Sequence, residues 1–370
     1  MIRFLLGLAA LQTLLIYVPP LVWPMWIAHF VAIESCFLGV VLGTAAASLA
    51  PDPWTRAIAG ALALACAWPG LAVAPGYLRE GVAFSPARWL GLPGPKVAVE
   101  RDVRLGHSVA DVYRPVGDGP LPWIAVVHGG SWRSGDKGDA EAVSHELANA
   151  GYLVVDLRYR LAPEFPFPAG ISDVYCALAE IQARATEWNI DPDRGALLGR
   201  SAGAQIALTT AYLAANPVGL AAVGGISPPA ACTVRPLRAV ISIYGPVDLA
   251  WAHDHPYVPD VVDGTNAIEQ YLGGAPEQIP SVYTAANPIS WVTEGADSFP
   301  STLLIHGLAE RCVRPRNPEV LQAALQKHGR SVQSLLIPMA DHGFDIRPGG
   351  LGEQLSRGVI LDFLRETLRQ

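Results

Sequence analysis

The chain has 370 residues, of which 51% are hydrophobic and only 16% are charged, and its formal net charge is −7. This composition excludes a disordered chain, a collagen-like chain and a small disulfide-stapled domain. The sequence has no cluster of lysine and arginine that could neutralise phosphates, so we predict no nucleic-acid partner.

Charge is almost missing from residues 1–78, which hold four of the 59 charged side chains: Arg3, Glu34, Asp52 and Arg56. A bilayer core requires about 20 apolar residues per helix, and prolines with neighbouring tryptophans interrupt the apolar runs. We therefore predict a multi-pass membrane region with three spans, at about 4–19, 26–50 and 56–78. The alternative is a signal peptide followed by core helices, but no cleavage site precedes a polar segment.

The five cysteines are widely spaced and form no C-x-x-C pair. This pattern predicts buried thiols rather than a disulfide framework, and it favours a reducing compartment slightly. Basic residues flank both ends of the apolar region, so the charge pattern leaves open the side of the membrane on which the remaining chain lies. The cysteine pattern gives a slight preference for the cytoplasmic side.

Residues 79–96 are rich in glycine and proline and are predicted to form a linker. Alternating patterns then predict a hairpin over 97–104 and 109–114. Continuous apolar runs predict buried strands at 123–127, 152–156, 195–199, 239–244, 302–306 and 333–337. Helical patterns lie at about 139–150, 169–188, 202–215, 317–328 and 352–368. We thus predict an α/β domain over 97–370 with a mostly parallel sheet covered on both faces, and a cap-like insertion at about 246–300.

A nucleophile is predicted at Ser201, within the sequence Gly199-Arg200-Ser201-Ala202-Gly203. This G-x-S-x-G pattern follows a predicted strand and precedes an alanine-rich helix, a context in which the glycines permit a sharp turn that exposes the hydroxyl. An ordinary small-residue turn is the alternative. Gly129 and Gly130 also follow a strand directly, so their amides are candidates for binding a developing oxyanion.

The serine requires a base, and His342 is the best candidate because it follows the last strand and so lies at the same sheet edge as Ser201. Glu310 follows the preceding strand and is the predicted acid; Asp248 is the second candidate. Asp341 and Asp345 flank His342, and such neighbours rarely reach back to the ring. Four other histidines are interpreted as parts of the structure, of the apolar region or of the insertion: His306, His29, His253 and His255.

Residues 97–368 resemble the α/β-hydrolases of the hormone-sensitive-lipase-like and acetyl-xylan/feruloyl esterase-like group. The resemblance is carried by H-G-G-S-W at 128–132, Y-R-L-A-P-E at 159–164, G-R-S-A-G at 199–203, H-G-x-x-E at 306–310 and D-H-G-F at 341–344. It implies a triad of Ser201, Glu310 and His342, with oxyanion amides from Gly129, Gly130 and Ala202. Two positions differ from the usual pattern: Ser131 replaces a third glycine, and Glu310 replaces the more common aspartate. Residues 1–78 lie outside the resemblance.

The sequence thus predicts a membrane-anchored serine hydrolase that acts on short-to-medium acyl esters and needs neither a cofactor nor a metal. Its predicted partners are a small-molecule ester and, through residues 1–78, a lipid bilayer. The alternatives are an arylformamidase-like amidase, an acyltransferase, and a non-catalytic small-molecule receptor of the same fold. The sequence leaves the natural substrate and the oligomeric state open.

Overall fold

The computed structural model describes residues 1–92, 94–117, 119–216, 232–292 and 298–368. Its first part, which we call the head (residues 1–79), consists of four apolar helices. They are α1 (Ile2–Tyr17), α2 (Trp23–Glu34), α3 (Cys36–Leu49) and α4 (Pro53–Arg79), and a short helix α5 (Pro86–Trp89) follows. Asp52 caps α4 by accepting a hydrogen bond from the amide of Thr55.

The head differs from the predicted three spans. Among the helices of the described residues, only α4, with 27 residues, is by itself long and apolar enough to cross a membrane. The predicted second span is two helices that meet at Ser35 and are bent by 69°, so the pair counts as a broken span or a re-entrant loop. Helix α1 has 16 residues and is shorter than a usual span. Within the described residues, length and composition therefore support one spanning helix, or two if the bent pair is counted.

An eight-stranded sheet forms the centre of the body, the part of the chain that follows the head. Its strands are β1 (Ala98–Leu105), β2 (Ser108–Arg114), β3 (Leu121–Val127), β4 (Leu153–Arg158), β5 (Ile190–Arg200), β6 (Ala239–Ile243), β7 (Ser301–Gly307) and β8 (Val332–Ile337). The order is β1-β2-β4-β3-β5-β6-β7-β8; the pairings β1/β2 and β2/β4 are antiparallel, and the others are parallel. The predicted mostly parallel sheet is confirmed.

Helices cover both faces of this sheet, as expected for strands that are buried on both sides. They are α6 (Glu141–Asn149), α7 (Ala169–Ala183), α8 (Ala185–Trp188), α9 (Ala202–Ala214), α13 (Arg316–Lys327) and α14 (Leu351–Leu368). The predicted insertion contains α10 (Leu249–Asp254), α11 (Gly264–Leu272), α12 (Pro280–Ala286) and a 3₁₀ turn (Pro288–Trp291). Residues 293–297 of the insertion lie outside the described residues.

The head packs directly against the body. The Tyr77 hydroxyl donates to the carbonyl of Leu351 at 2.6 Å, and the Glu34 carboxylate accepts from the amide of Leu351 at 2.7 Å. Segment 79–96, predicted as a linker, contains α5 and is tied to both parts: the Trp89 indole donates to the carbonyl of Glu34, and the amide of Ser85 donates to Gln354. The buried carboxylate of Glu34 therefore serves the contact between head and body.

One expectation about the cysteines is wrong. Cys176 on α7 and Cys232 form a disulfide, with Cα atoms 5.2 Å apart. Three thiols remain free: Cys36 and Cys66, both buried in the head, and Cys312, which is partly buried. This pairing could not be predicted from the sequence, because 56 residues separate the two partners and no motif marks either of them.

Candidate active site

Ser201 lies at the carboxyl end of β5, where the strand turns sharply into α9. Its backbone has φ +53°, a conformation that is uncommon outside glycine and typical of a strained turn that presents a side chain. The glycines on either side permit this close turn. A Cβ at Gly199 would meet the carbonyl of Gly203, and a Cβ at Gly203 would meet the carbonyl of His128.

The ring of His342 reaches Ser201 from the loop that follows β8. Its Nε2 lies 2.9 Å from Ser201 Oγ, within hydrogen-bonding distance. Tyr244 packs against the imidazole with ring centroids 4.3 Å apart, and Gly343 follows with φ +82°. The ring is thus held between the end of β6 and the hydroxyl of the candidate nucleophile.

Glu310 completes the arrangement from the loop after β7. Its Oε2 lies 3.0 Å from Nδ1 of His342, and its Oε1 accepts hydrogen bonds from the amides of Cys312 at 2.7 Å and Val313 at 3.0 Å. Because both oxygens have partners, the buried carboxylate is fixed in position. His306, interpreted from the sequence as structural, bonds through Nε2 to the carbonyl of Val313 at 2.8 Å and supports this loop.

The competing carboxylates are engaged elsewhere. Asp248 caps α10 by accepting from the amide of Trp251 at 3.1 Å. Asp345 is paired with Arg200, with Nε and Oδ2 2.7 Å apart. Asp341 accepts from the backbone amide of His342 at 2.7 Å, so it contacts this residue through the main chain and not through the ring.

The carboxylate of Glu310 sets the electrostatics of the candidate base. Burial alone would lower the pKa of His342, but the negative charge of Glu310 and its hydrogen bond hold that pKa above the ordinary value. Burial would raise the pKa of Glu310, but the charge of His342 and its hydrogen bond keep it below the usual range. Burial, followed by the charge of Glu310, raises the pKa of Asp341 to about 7.

These shifts predict an acidic limb in the pH dependence of any reaction that uses His342 as its base. Only a neutral imidazole can accept a proton from the serine, so kcat/KM of such a reaction should fall as pH decreases through the pKa of His342. Because that pKa is raised from 6.5, the midpoint of the limb should lie above pH 6.5, and Glu310→Gln should move it to lower pH. Initial rates between pH 4.5 and 9 measure this. A limb unmoved by Glu310→Gln would contradict the coupling between the two side chains.

The candidate oxyanion donors lie beside the serine. Gly129 and Gly130 follow β3, Ala202 follows Ser201, and all three residues line the same cavity as Ser201. A Cβ at Gly129 would lie 3.2 Å from the Cβ of Ser201, so the glycine permits close approach of its backbone to the nucleophile. The side chain of His128 stacks on Tyr159 with ring centroids 4.3 Å apart, and its Nδ1 lies 2.7 Å from the carbonyl oxygen of Gly129.

The cavity over Ser201 has a volume of about 750 Å³, within the range of small-molecule sites. Residues 246–268, in the first part of the predicted insertion, form much of its wall. His255, interpreted from the sequence as part of the insertion, also lines the cavity. The sequence did not predict that two residues of the head, Trp26 and Ile27, would line the cavity as well.

Three side chains at the site could in principle hold a metal: Glu310, Cys312 and His342 have donor atoms within 4.8 Å of one another. Metal binding requires a deprotonated thiol, and burial followed by the charge of Glu310 raises the pKa of Cys312 far above its ordinary value. Glu310 and His342 also already bond to each other. This donor set fits a hydrogen-bonded acid–base pair better than a metal centre.

A mostly parallel sheet with a serine elbow, and a histidine and a carboxylate on later loops, defines the class of α/β-hydrolases. The family model BD-FAE matches residues 110–325, more than half of the chain, and the chain belongs to this family. The matched range includes Ser201 and Glu310 and ends before His342.

Several similar proteins are named esterases. Esterase LipQ of Mycobacterium tuberculosis is 26% identical over 286 residues, which cover 74% of this chain and 64% of LipQ. Carboxylesterase NlhH of the same species is 43% identical over 102 residues, which cover 27% of this chain and 32% of NlhH. The chain thus spans less than two thirds of the length of these curated relatives. Esterase B from Lactobacillus Rhamnosis (HN001) supports the fold, with a TM-score of 0.62, 20% identity and coverage of 81% of this chain and 93% of that chain.

Proposed function

We propose that the protein is a carboxylic-ester hydrolase that works through an acyl-enzyme on Ser201. The observation that carries the proposal is the continuous path from Ser201 Oγ through His342 to Glu310, with contacts of 2.9 and 3.0 Å. His342 Nε2 takes the serine proton while Oγ forms a bond to the acyl carbon, and the ionised Glu310 stabilises the imidazolium. The names of the relatives support this reaction class.

The remaining steps follow from the same groups. In this proposal, the amides of Gly129, Gly130 and Ala202, which line the cavity with Ser201, bind the oxygen that becomes negative in the tetrahedral intermediate. The imidazolium then donates its proton to the leaving alcohol as the ester bond breaks, which leaves the acyl group on Ser201. A water molecule, deprotonated by His342, attacks this acyl-enzyme, and its collapse releases the carboxylic acid and returns the proton to Ser201.

We infer that the substrates are esters of short-to-medium acyl groups. The cavity of about 750 Å³ is capped by the insertion and lined by several apolar side chains, among them Trp132, Trp251 and Ile268. Nitrophenyl esters with acyl chains of 2 to 16 carbons, assayed on detergent-purified full-length protein, test this. Highest kcat/KM at 12 carbons or more would overturn the size range. Anilides and alcohol acceptors assayed in parallel would reveal an amidase or an acyltransferase.

We also propose that the head is embedded in a membrane. Large apolar side chains on the surface of α4 are exposed to an extent that is unusual for a soluble protein: Ile58, Leu64, Trp68, Leu71 and Leu78. We expect the full-length protein to stay in the membrane pellet after washes with 1 M salt and with alkaline carbonate, because apolar burial and not charge holds it there. Recovery in the soluble fraction without detergent would contradict the proposal.

The disulfide changes the inferred side of the membrane. The slight preference for the cytoplasm depended on unpaired cysteines, and Cys176–Cys232 removes that basis. Because disulfides persist in oxidising compartments, we propose that the body faces the extracytoplasmic side. Alkylation of denatured, unreduced protein taken from cells should modify only Cys36, Cys66 and Cys312. Modification of all five cysteines would place the body in a reducing compartment instead.

A further inference from the structure

Helix α2 of the head reaches the catalytic loops of the body. Trp26 is buried, and its indole nitrogen donates to Asp341 Oδ2 at 3.1 Å. Its ring centroid is 6.5 Å from that of His342, the candidate base. Trp26, near the start of the chain, thus packs beside His342 and Asp341, which lie near its carboxyl end.

The carboxylate that Trp26 contacts also joins the two loops that carry the candidate acid and base. Asp341 Oδ1 accepts from the amide of Arg311, next to Glu310, at 2.9 Å, and from the amide of His342 at 2.7 Å. His29, one turn after Trp26 on α2, has its Nε2 3.7 Å from Asp341 Oδ2. These contacts fix α2 relative to the candidate acid and base.

The next residue on α2 lies where the cavity meets the surface. Ile27 lines the cavity and is still 40% exposed. Ile346, which follows the His342 loop, also lines the cavity and is 56% exposed. The two isoleucines give the cavity an apolar border, one part from the head and one part from the body.

We propose that Trp26 and Ile27 form a specificity-determining wall, along which the acyl chain of the ester substrate extends from Ser201 toward the exposed border at Ile27. The inference depends on the proposed esterase function. It adds that the head of the protein binds the apolar part of the substrate. We expect an acyl group of two carbons to make few contacts with this wall and one of eight carbons to extend along it, so the wall should distinguish esters by chain length.

The test compares nitrophenyl acetate with nitrophenyl octanoate on full-length protein in phosphatidylcholine nanodiscs. We expect Ile27→Ser to lower kcat/KM for the octanoate by at least about tenfold and for the acetate by less than about threefold, since lost apolar contacts discriminate by about tenfold or more per methylene. Trp26→Ala also loses the bond to Asp341, so it should lower kcat/KM for both esters, with a loss at least about tenfold larger for the octanoate. Trp26→Phe keeps an aromatic ring but loses the bond to Asp341, and it should preserve most of the preference. Ile58→Ser is the matched control, because Ile58 is 57% exposed on α4 and does not line the cavity.

Equal loss for both esters in the Ile27→Ser and Trp26→Ala variants would show a structural role only and would overturn the proposal. The same change of preference in Ile58→Ser would do so too. A second measurement needs no turnover. The Ser201→Ala protein, photolysed with an octanoate ester that carries a diazirine at the end of its acyl chain, should be labelled within residues 23–34. Labelling that occurs only outside residues 23–34 would overturn the proposal that the acyl chain lies along Trp26 and Ile27. Labelling within 23–34, together with no turnover of any ester by the wild-type protein, would overturn the esterase function alone.

Discussion

Ser201→Ala is expected to lower kcat for ester hydrolysis by about 10⁴–10⁶, the effect of removing the nucleophile of a serine triad. Alanine removes only Oγ, which forms the hydrogen bond to His342 Nε2 at 2.9 Å, so the backbone turn and the sheet should stay intact. The measurement is the rate on a nitrophenyl ester, with circular dichroism and thermal unfolding as tests of folding.

A fluorophosphonate reagent should label wild-type protein at Ser201 alone and should not label the alanine variant. Ser131→Ala is a matched control, since this serine also lines the cavity but lies on the loop after β3. We expect it to remain active and to be labelled. Turnover unchanged in Ser201→Ala, or a label on another serine, would show that the nucleophile has been assigned wrongly.

Glu310→Gln should lower kcat by about 10³–10⁴ while the protein remains folded. An amide cannot stabilise the imidazolium, and it can favour the wrong tautomer of His342. Glutamine keeps the size of the side chain and an oxygen that can accept hydrogen bonds from the amides of Cys312 and Val313. The loop after β7 should therefore keep its conformation. Glu310→Asp keeps the charge and loses reach, and it should retain more activity than the glutamine variant.

The control for Glu310 is Asp248→Asn, which should cost less than about tenfold, because asparagine also caps helices well and Asp248 does not contact the ring. A near-neutral Glu310→Gln together with an inactive Asp248→Asn would reassign the acid to the loop after β6. Asp341 and Asp345 are poor controls. Asp341 ties two loops together, and Asp345 is buried against Arg200, so changes at either would disturb the structure of the site.

Much of the secondary structure of the body could be predicted, because short stretches of sequence mark its strands and the turn at Ser201. Apolar runs of five or six residues marked the strands, and the pattern around Ser201 marked a turn between strand and helix. The end of a parallel strand fixes the edge at which the next loop emerges, so strand order alone indicated that His342 and Glu310 meet near Ser201. Whether they act as a triad remains a prediction that the variants above test.

The unpredicted features depend on pairs that are distant in the chain. The bond between Trp26 and Asp341 spans 315 positions, and an apolar helix has the same composition whether it faces lipid or protein. The apolar character of the head could therefore be predicted from the sequence. The break at Ser35 and the packing of the head against the body could not. The cap helices have 6, 9 and 7 residues, too few turns for a clear period.

The contact between Trp26 and Asp341 has a consequence for biosynthesis. The head is the first of these parts to leave the ribosome, and the loop that carries His342 is among the last, so the two sides of the cavity are made far apart in time. The cavity that Trp26 and Ile27 line is therefore complete only when the last loops of the chain have packed against a helix that was made at its start.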